Sequence, residues 1–247
     1  MRIVVLGSSS SGNSTFVELS NKKFLIDAGL GFNDIKNKLY DIGVSSDELD
    51  FIIVTHAHSD HVKSIHSFNR VYNTKIYIGK ETMAEYSKAD LLKNFEYIDD
   101  IDSIDDIKIT KVPISHDKKG FGYIFETKDN SLAYITDTGM IHSKYHKFFT
   151  NKQVYLFESN HDVEMEMHGT KDELTKIRNI GDMGHLSNEE CAMYLNRFVG
   201  DNTKIICLMH ISENDNTYEL AYKVNREAID KNIKIIVSNK DDVSEVI

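Results

Sequence analysis

The sequence predicts an α/β fold in which two β-sheets pack face to face with helices outside them, a four-layer αββα sandwich. Short apolar runs of the kind that form buried strands occur in both halves of the chain. Each half also contains segments with the apolar spacing of an amphipathic helix. No linker rich in Gly, Pro or Ser divides the 247 residues, so we expect a single domain over residues 1–247.

The N-terminal half begins with a strand and a hairpin. A serine-rich loop follows the first strand, and the turn-forming triplet Ser20–Lys22 joins the next two strands. The first helix places Ile35, Leu39 and Ile42 on one face, which predicts its buried side. The predicted elements of this half are strands at 3–6, 15–19, 23–26, 51–54 and 75–78, and helices at 33–42, 62–73 and 80–89.

The C-terminal half contains more strands than helices. The acidic tract 99–106 precedes it and is predicted to be a solvated loop. Ser187 and Glu190 have the spacing of a capping box, which predicts that a helix begins beside them. The predicted elements are strands at 107–112, 122–126, 132–136, 154–158, 204–209 and 233–238, and helices at 188–199 and 216–229.

One short stretch indicates a metal site. The apolar run Phe51–Val54 ends in Thr-His-Ala-His-Ser-Asp-His, residues 55–61. His56 and His58 are two positions apart, so an extended backbone directs both imidazoles to the same side. Asp60 and His61 then turn into a helix and can face a neighbouring position, which suggests two metal ions. A polar surface loop is the alternative. However, several imidazoles and a carboxylate crowded beside a buried strand are electrostatically unfavourable without an ion.

The remaining bulk features favour the cytoplasm. Cys191 and Cys207 are too few for a disulfide framework and fit buried thiols of a reducing compartment. The N-terminal apolar run is too short for a secretory signal, and no apolar run is long enough to span a membrane. We therefore expect a cytoplasmic protein that does not contact the membrane. The oligomeric state stays open, a homodimer included.

The stretch at 56–61 matches the H-x-H-x-D-H signature of the metallo-β-lactamase superfamily. Further motifs follow in an order that resembles the WalJ/YycJ-like branch of that superfamily over nearly the whole chain. They are Gly7–Asn13, Asp27–Gly29, Ser115–His116, Thr136–Gly139, Glu158–Asp162, Gly184–Asn188 and His210. The resemblance implies the metallo-β-lactamase αββα sandwich, in which these strand ends meet at one edge.

The resemblance also implies a set of metal ligands. His56, His58 and His116 resemble the ligands of a first ion. Asp60, His61 and His210 resemble those of a second ion, and Asp137 resembles the bridging ligand. Imidazole and carboxylate ligands suit Zn²⁺, with Mn²⁺ or Fe²⁺ as alternatives. Alone, His116 would be read as a core histidine and Asp137 as a turn residue. Asp27 is expected to orient a ligand histidine through its second ring nitrogen.

The turn at 184–188 indicates the substrate. It opens a helix, where unpaired N–H groups favour an anion such as a phosphate. His185 is expected to bind a phosphate oxygen or to protonate a leaving alcohol, and Asp60 is the second expected catalytic residue. Ser187 can instead be only a helix cap. The residues expected to contact substrate are Asn13, His185, Ser187, Asn188 and Ser212.

The resemblance implies a metal-dependent phosphodiesterase, a DNA nuclease or exonuclease-like hydrolase that uses a hydroxide held by two metal ions. The same ligands fit a thioester or lactam hydrolase, and a metal-stabilised regulatory protein without catalysis is the third alternative. A formal net charge of −10, from 29 basic and 39 acidic residues, argues against a broad basic face for nucleic acid. Two divalent cations would supply positive charge where a phosphate binds.

Overall fold

The computed structural model describes residues 1–240 and 242–247. The strands are β1 (Arg2–Gly7), β2 (Ser14–Leu19), β3 (Lys22–Ile26), β4 (Phe51–Ile53), β5 (Lys75–Ile78), β6 (Phe95–Tyr97), β7 (Ser103–Ile104), β8 (Ile107–Pro113), β9 (Phe121–Glu126), β10 (Ser131–Ile135), β11 (Val154–Glu158), β12 (Ile205–Met209), β13 (Lys234–Val237) and β14 (Ser244–Glu245). The helices are α1 (Phe32–Asp41), α2 (Ser59–Val62), α3 (Ile65–Tyr72), α4 (Lys80–Glu85), α5 (His146–Phe149), α6 (Val163–His168), α7 (Glu173–Ile180), α8 (Asn188–Phe198) and α9 (Tyr218–Ala228).

The strands form two seven-stranded mixed sheets. The first has the order β14-β1-β2-β3-β4-β5-β6, and the second has the order β13-β12-β11-β10-β9-β8-β7. Tertiary contacts divide the chain into two compact units. Unit 1 comprises Met1–Ile109, Lys118–Phe121 and Lys240–Ile247, and unit 2 comprises Thr110–Asp117 and Gly122–Asn239. The single domain over residues 1–247 stays a prediction beside this division.

Each unit has its own hydrophobic core between strands and helices. In unit 1, Val4 and Leu6 of β1 pack in one cluster with Ile35 and Leu39 of α1 and with Phe68 of α3. In unit 2, one cluster joins residues of β10–β12 to apolar residues of α8. Burying each such side chain stabilises the fold by about 1.5–3 kcal/mol. These cores hold the strands, and therefore the strand ends, in fixed positions.

Parallel pairing brings the carboxyl ends of several strands to a common edge within each unit. In unit 1, β3, β4, β5 and β6 run parallel. In unit 2, β10, β11, β12 and β13 run parallel. The residues that follow β3 and β4, and those that end or follow β10, β11 and β12, therefore lie side by side within their own sheet. Ligand sites in α/β proteins commonly occupy such edges.

Several predicted elements differ from the structure. The helix predicted at 62–73 is interrupted, because Ser64 donates its N–H to the carbonyl of Ala28 at 2.9 Å and its hydroxyl to that of Leu30 at 2.6 Å. The acidic tract 99–106 is not only a loop, since it contains part of a 3₁₀ turn and the short strand β7. Helices α5, α6 and α7 were not predicted.

Gly29 lies where two backbone segments of unit 1 approach each other. A Cβ at this position would lie 1.5 Å from the carbonyl oxygen of Asp60. Gly29→Ala is therefore expected to lower the free energy of unfolding by about 2–3 kcal/mol. Gly43→Ala is the control: Gly43 has φ +77° but open space around it, so strain alone should cost about 1 kcal/mol. Urea unfolding measures both, and equal effects would contradict the close approach.

Candidate metal and active site

In unit 1, the histidine motif is organised by a buried carboxylate, Asp27. Its oxygens accept hydrogen bonds from the backbone N–H of Thr55 at 2.8 Å and from the Thr55 hydroxyl at 2.7 Å. Asp27 Oδ2 also accepts from His61 Nδ1 at 2.8 Å, which confirms the expected bond from Asp27 to a motif histidine. Burial raises the pKa of Asp27 and outweighs the opposing effect of His61.

The hydrogen bonds around Thr55 fix which ring nitrogens of the motif carry lone pairs. Because the Thr55 hydroxyl donates to Asp27, its oxygen can accept from His56 Nδ1 at 3.1 Å. The lone pair of His56 then lies on Nε2, and that of His61 also lies on Nε2. A metal-binding histidine commonly donates its other ring N–H to an oxygen in this way.

The donor atoms of the motif lie at separations suited to shared metal ions. His56 Nε2 lies 3.1 Å from His58 Nδ1, and His61 Nε2 lies 3.3 Å from Asp60 Oδ2. Two ligands of one tetrahedral ion with bonds of about 2.0–2.1 Å lie about 3.3 Å apart. When both facing atoms keep their lone pairs, these lone pairs repel each other, and a cation between them removes the repulsion. The donor set of unit 1 therefore fits divalent metal ions.

Asn13 connects the serine-rich loop to the motif. Its Nδ2 atom donates to the carbonyl of Ser9 at 2.9 Å and lies 3.2 Å from Asp60 Oδ2 and 3.1 Å from His61 Nε2. Its Oδ1 atom accepts from the backbone N–H of Ser9 at 3.2 Å. Asn13 is fully buried, so these internal contacts are its observed role, and its predicted contact with substrate stays a prediction.

In unit 2, three neighbouring parallel strands bring Asp137, Glu158 and His210 together. Asp137 follows β10, Glu158 ends β11 and His210 directly follows β12. Ligand atoms of these three residues and of His185 all lie within 4.8 Å of one another. Asp137 and His210 have φ of 57° and 56°, a left-handed conformation that is uncommon outside glycine. Such strain, of about 1–3 kcal/mol per residue, concentrates at functional sites.

Glu158 is the centre of this cluster. Its Oε1 atom accepts from His185 Nδ1 and from His210 Nδ1, each at 2.9 Å. Its Oε2 atom accepts from the backbone N–H groups of Thr138 at 3.1 Å and Leu186 at 3.2 Å. Burial by itself raises the pKa of Glu158, but the charge of His185 and the hydrogen bonds from both histidines lower the pKa to about 2.

The predicted ligand histidines of unit 2 share one orientation. His210 Nδ1 donates to Glu158, and His116 Nδ1 donates to the carbonyl of Gly184 at 3.1 Å. Each ring therefore keeps a lone pair on Nε2, as the ring of His61 does in unit 1. Asn160 further holds His210, because its Nδ2 atom donates to the His210 carbonyl at 2.8 Å. Together with Asp137, this donor set also fits a divalent metal ion.

The other predicted substrate residues of unit 2 lie in internal hydrogen bonds. Ser187 and Glu190 form the predicted capping box at the start of α8. Asn188 is fully buried, and its Oδ1 atom accepts from the Ser159 hydroxyl at 2.7 Å. Ser212 is buried, donates to Asp215 Oδ2 at 3.2 Å and lines a cavity of about 270 Å³. Substrate contact by Ser187, Asn188 and Ser212 stays a prediction.

Sequence reasoning missed Glu158 and Asn160. The sequence did signal both, because Glu158 directly follows the apolar run 154–157 of a strand and Asn160 lies two residues further on, as Asp137 and His210 lie close after their strands. Their neighbours His161 and Asp162 belong to the same sequence motif. Neither of them is in the four-residue cluster around Glu158.

Comparison with known proteins identifies relatives over most of the chain. A family model described as a β-lactamase superfamily domain matches residues 22–211. Exodeoxyribonuclease WalJ of Streptococcus pneumoniae is 35% identical over 232 residues, covering 88% of this chain and 84% of that protein. Exodeoxyribonuclease YycJ of Bacillus anthracis is 33% identical over 223 residues, covering 88% of this chain and 84% of that protein.

Comparison with solved structures confirms the predicted fold class. The metallo-β-lactamase fold protein YhfI of Bacillus subtilis superposes with a TM-score of 0.74 at 15% identity, covering 99% of this chain and 98% of that one. Within residues 1–240 and 242–247, no helix is long and apolar enough to cross a membrane.

Proposed function

Because this chain belongs to the β-lactamase superfamily, we propose that it is a metal-dependent phosphodiesterase that degrades DNA as an exonuclease. Its relatives at 35% and 33% identity are named exodeoxyribonucleases, which supports this substrate. The observation that carries the proposal is the shared orientation of His61, His116 and His210. Each directs Nδ1 to an oxygen acceptor and keeps Nε2 for a metal ion.

We assign the ligands as follows. His56, His58, Asp60 and His61 of unit 1 and His116, Asp137 and His210 of unit 2 would be ligands of divalent ions. Zn²⁺ suits these donors, and Mn²⁺ or Fe²⁺ are the alternatives. Two such ions, when bound, acidify water and stabilise the negative charge of a phosphoryl group during displacement.

The protein's own residues would handle the leaving oxygen. Glu158 accepts the Nδ1–H of His185 at 2.9 Å, which orients the imidazole and leaves Nε2 to exchange a proton. The His185 side chain is 14% exposed, whereas that of Glu158 is fully buried. His185 is thus the member of this pair that can reach a substrate, and Glu158 is the residue that positions it.

Removal of metal is the first test. Purified protein supplied with Mn²⁺ or Zn²⁺ is expected to cleave labelled single-stranded or double-stranded DNA and bis-p-nitrophenyl phosphate. Cleavage should vanish with a chelator and return when the metal is restored, since the ions supply the acidified water. Turnover of an acyl-glutathione or a β-lactam without any phosphodiester cleavage would contradict the proposal, as would metal-loaded protein that cleaves no substrate.

The shape of the DNA substrate tests the exonuclease assignment separately. An exonuclease needs a strand end, so linear single-stranded DNA should be degraded while a circular molecule of the same sequence persists. Equal rates on both would indicate an endonuclease. The oligomeric state stays open, a homodimer included, and the cytoplasmic location stays a prediction.

A further inference from the structure

A twenty-residue tract that follows Asp137 carries positive charge in a chain whose formal net charge is −10. Residues 138–157 contain no Asp or Glu, although the chain has 39 such residues among 247. The tract contains Lys144, Lys147 and Lys152. A local excess of positive charge of this kind is the electrostatic signature of a surface that binds a polyanion.

Three exposed cations of unit 2 belong to this surface. Lys144 and Lys147 are exposed beside and within α5, and Arg197 is exposed on α8. Arg197 is joined to the tract, because its Nη1 atom lies 3.1 Å from Nδ1 of His146. We call Lys144, Lys147 and Arg197 the basic patch. Lys152 is not part of it, since its Nζ atom pairs with Glu126 at 2.6 Å.

The charges of the basic patch are not compensated within the protein. In the part of the chain that the structure describes, neither lysine of the patch nor Arg197 pairs with a carboxylate. Aromatic rings hold the two lysines instead. Lys144 Nζ lies 4.9 Å from the centre of the Tyr145 ring, and Lys147 Nζ lies 4.9 Å from that of Phe148. An external anion can therefore take up all three charges.

Hydrogen bonds attach the basic patch to the Glu158 cluster. Thr138 donates its N–H to Glu158 Oε2 at 3.1 Å and its hydroxyl to the carbonyl of Met140 at 2.7 Å. The hydroxyl of Tyr194, on α8, then accepts from the N–H of Ile141 at 3.1 Å. The tract thus leaves the turn that carries Asp137 and is fixed to the same helix that bears Arg197. The patch and the cluster are parts of one framework.

We propose that the basic patch binds the phosphodiester backbone of the DNA strand outside the nucleotide being cleaved. This inference rests on the proposed function for the identity of the polyanion. Each phosphate carries one negative charge, and pairing phosphates with Lys or Arg releases condensed counterions. In a chain with a formal net charge of −10, a localised patch determines where the strand lies, since the acidic surface repels it.

The salt dependence of DNA binding tests the patch without relying on catalysis. Fluorescence anisotropy of a labelled single-stranded phosphorothioate oligonucleotide gives Kd at a series of salt concentrations. The combined variant Lys144→Gln, Lys147→Gln, Arg197→Gln is expected to reduce the slope of log K against log salt by about 2, since each phosphate contact contributes about 0.7 for a single strand. Hydrolysis of bis-p-nitrophenyl phosphate should stay unchanged, because this substrate is too short to reach the patch.

A variant with the same change of charge elsewhere serves as the control. Lys128, Lys223 and Lys231 are exposed lysines of unit 2 outside the tract, and replacing all three with glutamine removes the same charge. This control should retain the native slope. Equal slopes for patch variant and control would overturn the proposal. So would unchanged DNA binding together with loss of binding to phosphatidylserine vesicles, which would assign the patch to a lipid surface.

The two proposals can fail separately. If the native protein cleaves no phosphodiester but the patch variant binds DNA with the reduced salt slope, the patch proposal stands and the proposed enzymatic function falls. If native protein degrades DNA and the patch variant binds with the native slope, the function stands and the patch falls.

Discussion

Asp60→Ala is expected to lower the rate of DNA cleavage by more than about 100-fold. Loss of a residue that merely orients a metal ligand already costs 10–100-fold in metal affinity or activity, and Asp60 is proposed to be a ligand itself. Its Oδ2 atom lies 3.3 Å from Nε2 of His61, so its removal takes away one of two neighbouring donors. The rate on linear DNA and the metal content of the purified variant measure the effect.

The fold should tolerate this substitution. Asn13 loses one acceptor in the variant, but its Nδ2 atom still donates to the carbonyl of Ser9 at 2.9 Å. The free energy of unfolding of the metal-free protein should therefore fall by no more than about 1 kcal/mol. Asp90→Ala, which removes an exposed carboxylate of unit 1, is the matched control and should keep native activity. A fully active Asp60→Ala protein would remove Asp60 from the ligand set.

Local sequence patterns were sufficient to predict those features of the candidate site whose placement depends on neighbouring residues. His56 and His58 follow a buried strand at a spacing of two, and the short helix α2 carries Asp60 and His61. The capping box at Ser187 was likewise predictable from the sequence, because its two residues are only three positions apart. To predict such a feature, one needs to locate only a single strand end or a single helix start in the sequence.

The features that were missed depend on contacts between distant segments. Glu158 is central only because β10, β11 and β12 lie side by side in parallel, which brings Thr138 and His210 to one carboxylate. No local pattern specifies that pairing.

Helices α6 and α7 are a second feature that the sequence did not predict. The buried Glu166 of α6 binds Lys171 Nζ at 3.0 Å, and the same ammonium group binds the buried Asp215 at 2.7 Å. This charged contact stabilises a segment whose apolar pattern is weak. Leu174 and Ile177 of α7 are 80% and 67% exposed, so the segment lacks the buried apolar face by which a helix is recognised.

Glu158→Gln is expected both to destabilise the fold and to weaken metal binding. The carboxylate accepts four hydrogen bonds, two on each oxygen. Glutamine has nearly the same shape but only one oxygen. In either orientation its amide group faces two N–H donors, from the imidazoles of His185 and His210 or from the backbone of Thr138 and Leu186. Two buried donors then lose their acceptor, at about 1–3 kcal/mol each.

The stability effect should be about 3–5 kcal/mol, since the substitution also removes the charge at the centre of a buried network. Chemical unfolding of the metal-free protein measures this loss of stability separately from the effect on metal binding. In either orientation the imidazole of His210 loses its charged orienting acceptor, so competition with a chromophoric chelator should show metal affinity reduced by 10–100-fold. Glu189→Gln, an exposed change in the first turn of α8, should alter neither quantity. If Glu158→Gln left stability and metal affinity at native values, Glu158 could not be the residue that positions both histidines.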